Sequence, residues 1–256
     1  MPFVLLAGPC SVESIEQMEA VAEVLLKCNL KYIRAGVFKP RTSPYDFQGR
    51  GRAGLEILRT IKQKYDLKVI SEVMDTRDVE VCCEYIDIIQ IGSRNMQNSV
   101  LLKEVGMCNR PVLLKRGMMA TMDEFIFAAE YIVSQGNEKL ILCERGIRTF
   151  ENSTRFTLDI SSVAIIKEKT SFPVIVDLSH SLGRKDIAIR IANAVMALGV
   201  DGIMIEVHPE PLQALSDAQQ QMSFEEFNDF FKAIQKNRLL EELRNNNKNF
   251  GDVFAK

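Results

Sequence analysis

A chain of 256 residues, 46% hydrophobic and 26% charged, is long enough to bury a sizeable core as one large domain. Its 32 basic residues against 34 acidic ones leave a net charge of -2, which excludes nucleic acid and an anionic membrane as expected partners and makes any cation cluster local, fit for a small anionic ligand. No apolar run approaches the roughly 18 residues of a spanning helix, the start MPFVLLAGPCSVES is no signal peptide, and six cysteines without a CxxC pair read as reduced thiols of a cytoplasmic protein.

Eight short apolar runs, rich in β-branched residues, recur along the chain: FVLLA (3–7), KYIRAG (31–36), LKVISEV (67–73), DIIQIG (87–92), PVLLKR (111–116), KLILCER (139–145), PVIVDLS (173–179) and DGIMIEV (201–207). They are continuous rather than alternating, the pattern of strands covered on both faces. Helix-period segments lie between them, and Ser14–Gln17, Thr121–Glu124 and Ser223–Glu226 match the capping box. Eight strands alternating with helices at this length predict a (β/α)8 TIM barrel in a single domain over 1–256. An open doubly wound sheet is the rival, but no GxGxxG follows any strand. Residues 245–256, within the polar end RNNNKNFGDVFAK, are expected to fray.

Each run turns polar at its C-terminal end. Cys10 follows the first; Arg34, Lys39 and Arg41 end or follow the second; Glu72 and Asp75 close the third; Arg94 follows the fourth. Lys115 and Arg116 end the fifth, Glu144, Arg145 and Arg148 the sixth, Asp177 and His180 the seventh, and Glu206, His208 and Asp217 the eighth. A barrel brings these positions to one rim, where such folds keep their sites.

Two constellations emerge on that rim. Arg34, Lys39, Arg41, Arg94, Lys115 and Arg145, with Arg148 and Arg184 as outer candidates, are too many cations for one phosphate. They suit ligands carrying about two phosphates and a carboxylate. Neighbouring strand side chains point opposite ways, so only one of Lys115 and Arg116 faces the mouth. Closure of the first strand against the eighth brings Cys10 near His180, Glu206 and Asp217, a mixed soft and hard set suited to Mn, Fe, Co, Zn or Cu. His208 shares a face with Glu206 and is a rival ligand.

With these residues assembled, the sequence resembles the 3-deoxy-D-arabino-heptulosonate 7-phosphate (DAHP) synthases, in their shorter branch near 3-deoxy-D-manno-octulosonate 8-phosphate synthase. The matching motifs run from AGPCSVES (7–14) and RAGVFKPRTSPYDFQGRG (34–51) through SEVMD, QIGSRNMQN, LLKRGMMAT and LCERGIRTFE to DLSHSLGR (177–184) and IMIEVHPEPLQALSD (203–217). The resemblance implies condensation of phosphoenolpyruvate with erythrose 4-phosphate, the first step of the shikimate pathway. It implies metal ligands at Cys10, His180, Glu206 and Asp217, with Mn2+ expected first and Fe2+, Co2+ or Zn2+ as alternatives. Arg34, Lys39, Arg94, Lys115 and Arg145 match its phosphoenolpyruvate cations, and Arg41 and Thr42 its aldose-phosphate site. Cys10, Lys39 and His180 are the catalytic candidates, Lys39 carrying protons because buried lysines shift their pKa readily. A homodimer or homotetramer follows from the same resemblance.

Two positions depart from the family: Leu178 stands where relatives usually have Pro, so the turn aiming His180 is expected to be looser, and Ser71 where Thr is common. No room for a regulatory domain is expected ahead of the first strand. Other readings are the octulosonate synthase using arabinose 5-phosphate, a Schiff-base aldolase on Lys39 or Lys115, and a non-catalytic barrel binding phosphometabolites. Pro40 followed directly by Arg41 favours the four-carbon sugar over the first of these.

Overall fold

The computed structural model describes residues 3–236, and the expected fraying at 245–256 lies outside them. Eight parallel strands close a barrel in chain order: β1 Val4–Gly8, β2 Tyr32–Arg34, β3 Lys68–Glu72, β4 Ile88–Ile91, β5 Val112–Lys115, β6 Leu140–Glu144, β7 Val174–Asp177 and β8 Gly202–Glu206. Seven lie within their predicted apolar runs, and β1 extends one residue beyond its run, to Gly8. β2 and β7 shorten most, by three residues each: beyond β2 Gly36 bridges to Ser11, and after β7 Leu178 and Ser179 turn into a helix. The helices between and after the strands are α1 Ile15–Lys27, α2 Arg52–Tyr65, α3 Thr76–Tyr85, α4 Ser99–Met107, α5 Met122–Val133, α6 Ile160–Lys169, α7 Leu178–Leu182, α8 Ala188–Ala197 and α9 Phe224–Gln235. Among the described residues no helix is long and apolar enough to cross a membrane.

The two-residue period of a strand explains both the core and the site. Inward side chains such as Leu6, Tyr32, Ile70, Ile88, Leu113, Ile141, Ile175 and Met204 fill the barrel as one buried cluster. The alternate residues, Leu5, Ile33, Val69, Ile89, Leu114 and Val176 among them, face outward into the larger core beneath the helices. Two residues further along the inward row the type changes: Arg34, Glu72, Gln90, Lys115, Asp177 and Glu206 follow Tyr32, Ile70, Ile88, Leu113, Ile175 and Met204. An apolar plug therefore carries a buried polar layer on its C-terminal face.

Local signals set the helix starts. Thr121 and Ser223 form full capping boxes with Glu124 and Glu226, caps worth about 0.5–2 kcal/mol each. At Ser14 the box is half made: its hydroxyl accepts from Gln17 N, but the Gln17 side chain accepts from Glu13 N at 3.0 Å. At Gly8, φ is +147° and a Cβ would strike the Arg34 backbone, so glycine alone lets β1 pass β2 this closely.

Candidate active site

The residues at the strand ends enclose a cavity of about 290 Å3. Arg34, Lys39, Arg41, Thr42, Arg94, Lys115 and Arg145 all line it, together with Glu72, Gln90, Ser93, Arg155, His180 and Asp217. Arg34, Lys39, Lys115 and Arg145 are buried, and each is held by a partner. Arg34 Nη1 donates to Glu206 Oε1 at 2.6 Å and to the Pro9 carbonyl at 3.1 Å. Lys115 pairs with Asp177, and Lys39 Nζ donates to Cys10 Sγ at 2.9 Å. The Arg145 guanidinium lies over the Phe156 ring, 4.0 Å from its centroid, and burial lowers its pKa to about 10.

Much of this lining is unsatisfied. Arg34 Nε, Arg41 Nε, Arg145 Nε and Nη1, and Glu72 Oε1 are buried without a hydrogen-bond partner. Leaving a buried polar group unpaired costs about 1–3 kcal/mol, more when it is charged. Four such N–H donors around one cavity describe a site that an oxyanion completes. Gly92 belongs to the same design, since a Cβ there would overlap the Glu72 carboxylate.

One wall of the cavity carries the second constellation. The register sets Gly8 of β1 opposite Glu206 of β8, so Cys10, two residues on, arrives beside that carboxylate. His180 sits in the short helix α7, capped by Asp177, whose Oδ1 accepts from His180 N at 2.9 Å. Asp177 Oδ2 holds His180 Nδ1 at 2.8 Å, which turns Nε2 to face Glu206 and Asp217, each 3.6 Å away. Asp217 stands in the loop after β8 in a left-handed conformation, φ +48°. Cys10 N, donating to Gln221 Oε1 at 3.0 Å, and Ser11, bonded to Ser216 at 2.7 Å, tie that loop to the β1 end.

Cys10, His180, Glu206 and Asp217 thus offer four ligand atoms within 4.8 Å of one another. Ligands bound to one divalent ion at about 2.0–2.3 Å stand up to about 4.6 Å apart, so the cluster fits an ion with little contraction. A metal-ligating histidine whose other nitrogen is held by a carboxylate is the usual outer-shell arrangement. Burial alone would raise Asp177, Glu206 and Asp217, but His180 with Lys115, Arg34 and Arg155 outweighs it and holds all three low. Burial lowers His180, yet Asp177 and Glu206 outweigh it and hold the imidazole at about 9. Lys39 follows the same logic. Burial lowers it, while Cys10 and Glu206 carry it upward, because its nearest neighbours are acids as well as cations.

Other predicted residues fall elsewhere. Arg116 points outward to Glu144 at 3.0 Å and Asp159 at 2.9 Å, bracing the barrel behind the mouth. His208 is outside the four-ligand group: its Nδ1 accepts from Glu210 N at 3.0 Å and its Nε2 faces Glu13 at 3.5 Å. Asp75 caps α3 and pairs with Arg77, Arg184 pairs with Asp186, and Arg148 is exposed. Leu178 is the first residue of α7, fully buried, and the Asp177 cap holds the turn that was expected to loosen. Sequence reasoning passed over Arg155, Gln90, Ser93 and Gln220. The inward period of β4 signals Gln90, whereas Ser93 opens a single 3-10 turn after β4 and Arg155 and Gln220 lie on loops, with no period to read.

Comparison with known proteins agrees with this geometry. Residues 1–242 match the DAHP synthetase I family. Phospho-2-dehydro-3-deoxyheptonate aldolase of Thermotoga maritima is 51% identical over 234 residues, which cover 91% of this chain and 69% of that protein. Its crystal structure has a TM-score of 0.88 to this chain, covering 91% of it and 68% of the other. A truncated 3-deoxy-D-arabino-heptulosonate 7-phosphate synthase from the same organism, 47% identical, has a TM-score of 0.84 with 91% and 86% covered. The 2-dehydro-3-deoxyphosphooctonate aldolase of Geobacter sulfurreducens is more distant, 34% identical with 84% and 85% covered. By its matched length, its barrel and its identity to these proteins, the chain belongs to the DAHP synthetase I family.

Proposed function

We propose that the chain is a DAHP synthase, a transferase joining C3 of phosphoenolpyruvate to the aldehyde carbon of erythrose 4-phosphate. One water is consumed, and DAHP and phosphate leave. The single observation that carries the reading is the continuity of the unsatisfied cationic cavity with the four-ligand cluster. The 51% identity to the Thermotoga enzyme against 34% for the octulosonate relative, and Arg41 directly after Pro40, favour the four-carbon sugar.

In this reading Arg34, Lys39, Arg94, Lys115 and Arg145 hold the phosphate and carboxylate of phosphoenolpyruvate, and Arg41 with Thr42 holds the aldose phosphate. Surrounding cations offset the mutual repulsion of two anions held side by side, and the fixed geometry makes C–C bond formation effectively unimolecular. A divalent ion on Cys10, His180, Glu206 and Asp217, Mn2+ ahead of Fe2+, Co2+ or Zn2+, supplies Lewis acidity for the aldehyde oxygen. Asp177 keeps the proton of His180 on Nδ1 so that Nε2 stays available to the ion. Lys39 Nζ, beside Cys10 and lining the cavity, moves the proton at the new alkoxide oxygen. Water adds at C2, and phosphate departs from the resulting phosphohemiketal into the arginine-lined wall. The reduced state of all six cysteines supports a cytoplasmic setting. Exposed Val100 and Met107 of α4, with Phe127 and Tyr131 of α5, support assembly into a homodimer or homotetramer.

Phosphoenolpyruvate consumption, followed with each aldose in turn, tests this. The expected result is turnover with erythrose 4-phosphate, abolished by chelator and restored by Mn2+. Faster consumption with arabinose 5-phosphate would move the assignment to the octulosonate synthases, and turnover indifferent to chelator would remove the ion. In the same assay, a Lys39→Met variant that kept most of its turnover would remove Lys39 as the proton carrier.

A further inference from the structure

We infer that Gln220 is a positioning residue for the metal centre, and that Arg155 locks it in place. The inference rests on the reading of Cys10, His180, Glu206 and Asp217 as ligands. Gln220 is buried, and its Nε2 donates to Glu206 Oε2 at 2.5 Å. Its other amide atom, Oε1, accepts from Arg155 Nη1 at 2.5 Å. The same Arg155 nitrogen stands 3.4 Å from Asp217 Oδ2. The main chain closes the ring, for Gln220 N donates to the Asp217 carbonyl at 3.3 Å, across the turn that the left-handed Asp217 begins.

The two carboxylates come from different elements, Glu206 from β8 and Asp217 from the loop beyond it. No direct bond joins them, so their separation depends on what spans the gap, which His180 Nε2 faces from 3.6 Å on either side. Gln220 spans it. A primary amide has two distinct ends, and a guanidinium fixed on the oxygen end leaves only the NH2 end for Glu206. Arg34 already holds Glu206 Oε1 at 2.6 Å, so Gln220 fixes the second oxygen and with it the plane of the carboxylate. Arg155 is seated in turn over Phe156, 5.9 Å from the ring centroid, and packs against Gly183, where a Cβ would collide with its own. Outer partners of metal ligands typically contribute about 10–100-fold in affinity. A cation beside a cation site weakens binding through its charge alone, so the effect of Arg155 on affinity has the opposite sign if it works by orienting Gln220.

The test is Mn2+ binding by calorimetry to the whole chain without substrate, repeated with Co2+ while following the thiolate-to-cobalt absorption of Cys10. Wild type binding one ion, lost in Cys10→Ser, checks the underlying reading separately. Gln220→Met keeps the length of the side chain and removes its donor. It is expected to weaken binding about 10–100-fold, with turnover returning at saturating Mn2+ and the KM for phosphoenolpyruvate unchanged. Arg155→Met, at a partly exposed position that tolerates truncation, is expected to weaken binding as well. Wild-type affinity in Gln220→Met, or tighter binding in Arg155→Met, overturns the inference. Should Gln220→Met not fold, the Arg155 result decides it alone.

Discussion

At the scale of single residues the site is defined by what its side chains lack. Arg145 has the face of its guanidinium on Phe156 and two edge nitrogens, Nε and Nη1, buried and unpaired. A planar fork held in this way is preorganised for a bidentate oxyanion, whereas a lysine offers one mobile point charge. Arg145→Lys is therefore expected to raise the KM for phosphoenolpyruvate about 10–100-fold, since a charged hydrogen bond is worth about 1.5–3 kcal/mol and each 1.4 kcal/mol is tenfold. Steady-state kinetics with erythrose 4-phosphate saturating checks it. An unchanged KM would place the anion away from Arg145. Lys115 and Arg116 show how much one residue of register decides: the first lines the cavity beside Asp177, and the second braces Glu144 and Asp159 outside the barrel. Alternation along the strand says that one of them faces in, and the count from Leu113 says which.

At the scale of elements, what was legible in the sequence tracks periodicity. The strands could be read because both faces are buried, which makes each a continuous apolar run, and polar residues at their ends converge once the barrel closes. Cys10, Arg34, Lys115, His180 and Glu206 were found in this way, and the capping boxes at Thr121 and Ser223 from spacing alone. Arg155 and Gln220 were not, because they stand on the long connections 145–159 and 207–223, whose course is set by tertiary bonds such as Arg155 to Gln220. Leu178 tests how α7 is built. It begins the helix after an extended Asp177 (φ -87°, ψ 100°), a place where proline also fits, and its side chain is wholly buried. Leu178→Ala is expected to cost about 2–5 kcal/mol by leaving a cavity. Leu178→Pro keeps ring carbons in the space and the backbone it prefers, so it should cost less. Denaturant unfolding of the two variants gives the order, and a proline variant less stable than the alanine one would mean that α7 needs the Leu178 N–H.

At the scale of the whole molecule, the slight acidity of the chain conceals a polarised charge distribution. Seven cationic side chains line the cavity against three carboxylates, Asp46, Glu72 and Asp217, within a protein of net charge -2. Arg34, Lys39 and Lys115 have acidic partners within the fold, but Arg34 Nε, Arg41 Nε and two nitrogens of Arg145 are buried donors left unpaired. A bound anion would satisfy these donors, so binding should appear as global stability. A ligand at 100 times its dissociation constant adds about 2.7 kcal/mol, which for a chain of this size is a rise in Tm of roughly 5–10 °C. Phosphoenolpyruvate, present with Mn2+ at that excess, should give this shift. Pyruvate, which has the carboxylate without the phosphate, should give much less at the same concentration. At a fixed phosphoenolpyruvate concentration the shift should shrink as KCl is raised, because part of the attraction is felt through solvent at the open mouth. Scanning fluorimetry over the three conditions separates the outcomes. Equal shifts from phosphoenolpyruvate and pyruvate would mean that the cations are satisfied within the fold and that the phosphate is bound elsewhere.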